Sequence, residues 1–210
     1  MFADDRDLLV FEPNLPRDVA WAGQRLVAGA ASVSGSTMTV TTSDVALDAA
    51  GVTTGHVALL NGIPIEVIER LSSTTATVSR LRASPLDPVF PLGTLAASPM
   101  SVVTFRPQLS LVHARVLSLL GASGDEGAEF EEGQILNAGA LRVMTALGAL
   151  QLIYSAAAAL GDPSSAASVR AEVYRRLFNA ERERVRVAFD TNGDGLVDVT
   201  RAMGEVALRR

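Results

Sequence analysis

Cysteine is absent, which excludes disulfides, thiol nucleophiles and any cysteine-ligated zinc or iron–sulfur site. Lysine is absent as well, and all 18 basic residues are arginine. GC-rich coding accounts for that bias most simply, although the planar arginine fork also suits ion pairs at interfaces. Aromatics are only 5% of the chain, so Ala, Val and Leu must fill the core. The two histidines, His56 and His113, lie far apart and in no HExxH-like pattern, so both read as ordinary side chains rather than ligands. No uncharged apolar run reaches the roughly 18–20 residues of a membrane span. The acidic start MFADDRDLLVFEP lacks the basic region of a signal peptide. A soluble protein made in the cytoplasm, with no membrane partner, is the expectation.

What is present supports a folded chain. Its 210 residues are 48% hydrophobic, enough for one large domain or a core with a second small one. The net charge of −5 gives no general attraction to nucleic acid. Asp4 and Asp5 can cap a first short helix carrying Leu8, Leu9 and Phe11, and Pro13 ends it. Pro16 and Asp18 open a second, carrying Val19, Trp21, Leu26 and Val27. From Ala30 to Phe105 the chain is rich in Val, Thr, Ser, Gly and Pro. TMTVTT, HVALL, ATVSRL and SVVTF read as strands, and Asn61-Gly62 is a strong hairpin signal. After Pro107 three helical patterns follow. LSLVHARVLSLLG stops at Gly121, and QILNAGALRVMTALGALQLIYSAAAAL is nearly uncharged and needs cover on most sides. SVRAEVYRRLFNAERERVRVAF is amphipathic, with Val169, Val173, Leu177, Ala180, Val185 and Ala188 read as the inward face.

The expected fold is therefore α+β: a helical bundle core of three to four main helices with an inserted small antiparallel β-barrel or sandwich subdomain. Residues 1–29 are read as N-terminal helices of the bundle and 30–106 as the insert. Residues 107–189 make the main bundle, and 190–210 an Asp-rich loop and tail ending in a short helix.

Few residues offer chemistry. FDTNGDGLVD places Asp190, Asn192 and Asp194 at the first, third and fifth positions of a calcium-type loop. Gly195 takes the turn position, the Leu196 carbonyl the seventh and Asp198 the ninth. Arg201 stands where a bidentate acid belongs, with Glu205 one helical turn on, so Ca2+ would bind weakly. The plain alternative is a polar turn whose Asp and Asn side chains bond their own backbone, with Asp198 capping the last helix. The acidic run Asp125, Glu126, Glu129, Glu131 and Glu132 reads as a solvated linker or a surface for an Arg-bearing partner. The arginines of 170–186 alternate with Glu172, Glu181 and Glu183, which favours a salt-bridged face over a nucleic acid site. There is no Ser-His-Asp set, and GASGDEG lacks the Lys-Ser/Thr of a P-loop. No enzyme is expected.

The opening DLLVFEPNLPRDVAWAGQ, the long apolar helix and AEVYRRLFNAERERVRVAFDTNGDGLVD together resemble head–tail adaptor (connector) proteins of tailed bacteriophages. The resemblance covers about two-thirds of the chain; the β-rich stretch 30–105 departs from it. It implies a non-catalytic virion protein of the neck that docks under the portal protein ring. It also implies a ring of copies of itself, expected to be dodecameric, joined to a downstream neck or tail-completion protein. DNA would pass through the channel without sequence-specific contact. The alternative is a calcium-binding interaction module with an adhesive β-domain.

Overall fold

Asp5 and Arg6, in the first turn of the chain's first helix, are buried charged residues, and they decide where that helix goes. In the computed structural model, residues 1–19, 23–122, 128–159 and 165–203 are described. The chain divides into two compact units: Asp4–Arg106, and Met1–Ala3 together with the chain from Pro107 onward.

The first unit opens with α1 (Asp5–Phe11) and the single turn α2 (Leu15–Asp18). The Asp4 N–H donates to Asp7 Oδ2 (3.0 Å), capping α1, and Pro16 sits in the first turn of α2. Six antiparallel strands follow: β1 (Gln24–Gly35), β2 (Thr37–Ser43), β3 (Val57–Leu60), β4 (Ile63–Arg70), β5 (Thr75–Ser79) and β6 (Gly93–Thr104). They close into a barrel in the order β1-β2-β5-β4-β3-β6, with β6 returning to β1. Alternation places Val27, Ala31, Val33, Met38, Val40, Ile65, Val67, Val78 and Val102 inside. The β3–β4 turn is Asn61-Gly62, both with positive φ (49° and 76°), as the dipeptide predicts. Gly29 lies on β1 where a Cβ would stand 1.9 Å from the Thr42 carbonyl oxygen, beside the bulge at Ala30/Ala31, so no larger residue fits there.

Asp5 accepts from the Phe105 N–H (2.7 Å) and the Thr104 hydroxyl (2.6 Å) at the end of β6. Arg6 Nε lies 3.0 Å from Glu66 on β4, and its Nη2 donates to the Arg82 carbonyl. Arg82 clasps the same carboxylate through Nη2 (2.7 Å) and Nε (3.2 Å). Arg6, Asp7, Glu66 and Arg82 are all buried.

The second unit holds α3 (Arg106–Leu120), α4 (Ala140–Ala159) and α5 (Ala166–Arg184), then strands β7 (Arg186–Phe189) and β8 (Val199–Ala202), which pair as a hairpin. α3 ends on Gly121 in the left-handed region (φ 72°), with Ala122 N–H returning to Leu117 O (2.9 Å). α4 is buried along much of its length and packs against α5. At Gly148 of α4 a Cβ would meet Val112 of α3 and Phe178 of α5 at 2.7 and 3.0 Å, so the three helices converge on a bare backbone. By length and composition alone α4 is apolar enough to cross a membrane; 56% of that window is buried within the chain, which suits a core helix equally well.

This overturns the expected helical bundle core with an inserted β-subdomain. The chain is 36% helix and 30% strand, and its β-region is a closed six-stranded barrel. The N-terminal helices group with the barrel because the Asp5 and Arg6 side chains are bound there. Leu26 and Val27, read as helical, lie on β1. Trp21 lies outside the described residues.

Two predictions follow from the buried charges. Glu66→Ala strands two buried guanidinium groups and is expected to destabilise the chain by about 3–5 kcal/mol in urea unfolding. Burial raises Asp5 from 3.8 to about 6, against the two hydrogen bonds that lower it. The folded chain therefore keeps a proton that the unfolded chain releases between those values. The resulting stabilisation is full below the unfolded value and lost as pH rises through about 6. Asp5→Asn does not titrate, so the stability of wild type relative to it should fall by roughly 3 kcal/mol from about pH 3 to about pH 8. A pH-independent difference would refute this.

Candidate functional site: an aspartate-rich hairpin loop and an uncovered helix face

The Asp-rich segment joins two strands, not two helices. α5 stops at Arg184, and Val185 turns the chain from helical to extended (φ −66°, ψ 134°). RVAF then runs as β7, with Val187 and Phe189 buried and Arg186 exposed. The outer edge of β7 is closed by the segment before α4. Leu136 N–H donates to Ala188 O (3.0 Å), and Asn137 bonds Ala188 N–H and Arg186 O, both at 2.9 Å. Phe189 stacks on Phe130 with ring centroids 4.1 Å apart.

Residues 190–198 are bound almost entirely by their own side chains. Asp190 Oδ1 accepts from Asn192 N–H (3.2 Å) and Gly193 N–H (2.6 Å), and its Oδ2 accepts from Gly195 N–H (2.7 Å). Asn192 Oδ1 accepts from Asp194 N–H (2.9 Å), and Asp194 Oδ1 from Leu196 N–H (2.8 Å). Asp198 Oδ2 takes the Thr191 N–H and hydroxyl, both at 2.8 Å, and Asn192 Nδ2 donates to Asp198 Oδ1 (3.3 Å). Gly193 and Gly195 have φ of 82° and 80°, which is why these positions are glycine. These N–H groups hold the Asp190 carboxyl below the usual carboxylate range, Gly195 contributing most; the Thr191 hydroxyl and N–H do the same for Asp198.

Of the expected ligands, Asp190, Asn192 and Asp198 are linked by hydrogen bonds. Asp194 bonds the backbone N–H of Leu196 at the tip. Among the described residues no group of three or more His, Asp or Glu side chains is arranged to hold a metal ion. Arg201 lies on β8 opposite Val187, where its guanidinium bonds Glu129 (2.8 Å) and Leu120 O (3.1 Å) and covers the Phe130 ring (5.4 Å). Asp198 caps no helix here, because β8 follows it. Glu205 and the tail beyond Met203 lie outside the described residues, as do Asp125 and Glu126. Of the remaining acids, Glu131 N–H bonds Gln134, and Glu132 lies 3.2 Å from His113 Nε2. His56 is buried in the other unit, and burial pushes its pKa down.

The main surprise is α5, which lies the other way round from its amphipathic reading. Tyr174 and Phe178 face inward; Tyr154 of α4 stacks on Tyr174 (5.7 Å), and Arg115 of α3 lies over Phe178 (5.7 Å). Val169, Val173 and Leu177, spaced by four residues, are 60%, 47% and 44% exposed. The aliphatic spacing that signals an amphipathic helix is there, but two aromatics on a neighbouring face of the helix bury more surface and win the inside. Arg175 and Arg176 both bind Glu172 (2.8 Å each), and Arg184 binds Glu181 (2.8 Å). Arg186 donates to the carbonyls of Glu183, Arg184 and Val185.

Comparison with protein-family models, with curated proteins and with solved structures finds no match to this chain. Its function must be read from these surfaces.

Asp190→Ala removes the acceptor for three loop N–H groups and should lower the melting temperature of the chain by several degrees. The loss is expected to be equal in chelator and in millimolar calcium. A loss seen only with calcium would show that Asp190 acts through a bound cation.

Proposed function

We propose that this chain is a non-catalytic structural subunit that assembles with copies of itself, and that it serves as an adaptor in the neck of a tailed phage, between portal and tail. The observation carrying the assembly reading is the stripe Val169, Val173 and Leu177, three aliphatic side chains along two turns of α5 and exposed in the single chain. Scattered exposed aliphatics are ordinary on a surface; a helical row of them beside charged residues suits burial against another chain. The adaptor assignment is supported by the resemblance of DLLVFEPNLPRDVAWAGQ, of α4 and of AEVYRRLFNAERERVRVAFDTNGDGLVD to head–tail adaptors. The barrel gives such a subunit a second compact body, suited to outward display or to a tail-facing contact.

Mixing the chain with portal rings of its phage should produce collars visible by negative-stain microscopy. Val173→Asp, at an exposed position, should leave unfolding within about 0.5 kcal/mol of wild type and yet cut collar formation at least severalfold. A wild-type chain that stays monomeric and never binds portal rings would overturn the adaptor reading.

A further inference from the structure

Among the described residues of the second unit, two exposed apolar surfaces differ in electrostatic character. One is the α5 stripe. A shallow groove of ≈ 340 Å³ runs along it, lined by Ser168, Val169, Glu172, Val173 and Arg176. Five arginines stand against three glutamates on this helix, a net charge of +2. Glu172 is shared by two of those arginines, so the patch around the stripe keeps a positive excess.

The other surface is the tip of the β7–β8 hairpin. Leu196 and Val197 are 67% and 57% exposed, and Val199 beside them is also exposed. Between residues 190 and 198 there are three aspartates and no basic residue. The tip is thus an aliphatic knob on an acidic base. The internal hydrogen bonds of the loop fix its shape, so presenting the knob costs little ordering entropy.

Neither surface covers the other within one chain, since both are exposed there. We infer that they meet between copies: the Leu196–Val197 knob of one copy docks on the Val169–Val173–Leu177 stripe of the next. Acidic tip then faces basic helix, whereas two α5 faces brought together would set net positive surfaces against each other. Made in one direction only, from each copy to the next, the contact is head-to-tail and its repetition generates a ring or a filament; made reciprocally between two copies it would close a two-fold dimer. The inference rests on the self-assembly part of the proposed function and adds which faces meet.

The absence of cysteine makes a background-free test available. Val173→Cys and Val197→Cys are made in separate chains at exposed positions. The two proteins are mixed under mild oxidant, and disulfide formation is followed by non-reducing electrophoresis. A covalent trap accumulates even short-lived contacts, so the result does not depend on a stable free oligomer. The expected product is a mixed dimer of twice 22.0 kDa. It should form at least tenfold faster than between Val197→Cys and Ala97→Cys, an exposed barrel position. A chain carrying both cysteines should give a ladder of higher species. A Val173→Cys self-dimer forming faster than the mixed dimer, or a mixed dimer no faster than the barrel control, overturns the pairing. Collars on portal rings despite an unreactive pair would overturn this pairing alone and leave the adaptor reading standing; failure to bind portal would overturn the adaptor reading without touching a positive trap.

Discussion

Glu66 sits between two arginines inside the first unit, and much of that unit's arrangement hangs on this contact. Removing a carboxylate and two guanidinium groups from water is expensive, and their mutual attraction repays it only when nearly every proton and lone pair is used. Here most are used. Arg82 binds Glu66 with two nitrogens and the Asp87 carbonyl with a third (2.6 Å), while Arg6 reaches Glu66, Asp7 and the Arg82 carbonyl. One cluster thus ties α1, β4 and the Pro-rich loop after β5 to each other. A hydrophobic plug of equal volume would often give similar stability, whereas removing one partner alone leaves a buried charge without compensation. Gly55 completes the fit: its φ is 86°, and a Cβ there would stand 2.5 Å from the Asp4 side chain.

That contact also explains which parts of the fold were legible in the sequence. Local signals served well: Asn61-Gly62 marked the β3–β4 hairpin, Gly121 marked the end of α3, and TMTVTT marked β2. What the sequence hid depends on partners far along the chain. Nothing near Arg6 announces Glu66, and nothing near Asp5 announces Phe105, so the first helices seemed to belong with the later ones. β1 escaped because QRLVAGAASVSG carries Ala and Gly where strands usually carry β-branched residues; the closed barrel, with neighbours on both sides, supplies what propensity does not.

The candidate site was half legible. The spacing of Asp190, Asn192, Asp194 and Asp198 offered a calcium-type loop or a polar turn bonded to its own backbone, and the side chains do bond the loop backbone. The strands around it were not foreseen, because RVAF follows a long helix with no Gly or Pro to mark the break. On α5 the helical period was right and its inside and outside were exchanged. Aliphatic spacing alone cannot rank faces when a Tyr and a Phe compete from a neighbouring face, and that exchange is what leaves an apolar row facing solvent.

The first and last strands of the barrel are neighbours, with Gln24 opposite Thr104 and Gly35 opposite Gly93. The chain therefore leaves the barrel on the same rung where it came in. Tension drawn through the backbone immediately outside Gln24 and Thr104 would bear on that rung and peel β1 from β6 one hydrogen bond at a time, instead of shearing the pair at once. A barrel entered and left on one rung can vary in sequence and size without changing the distance between the two backbone ends it joins.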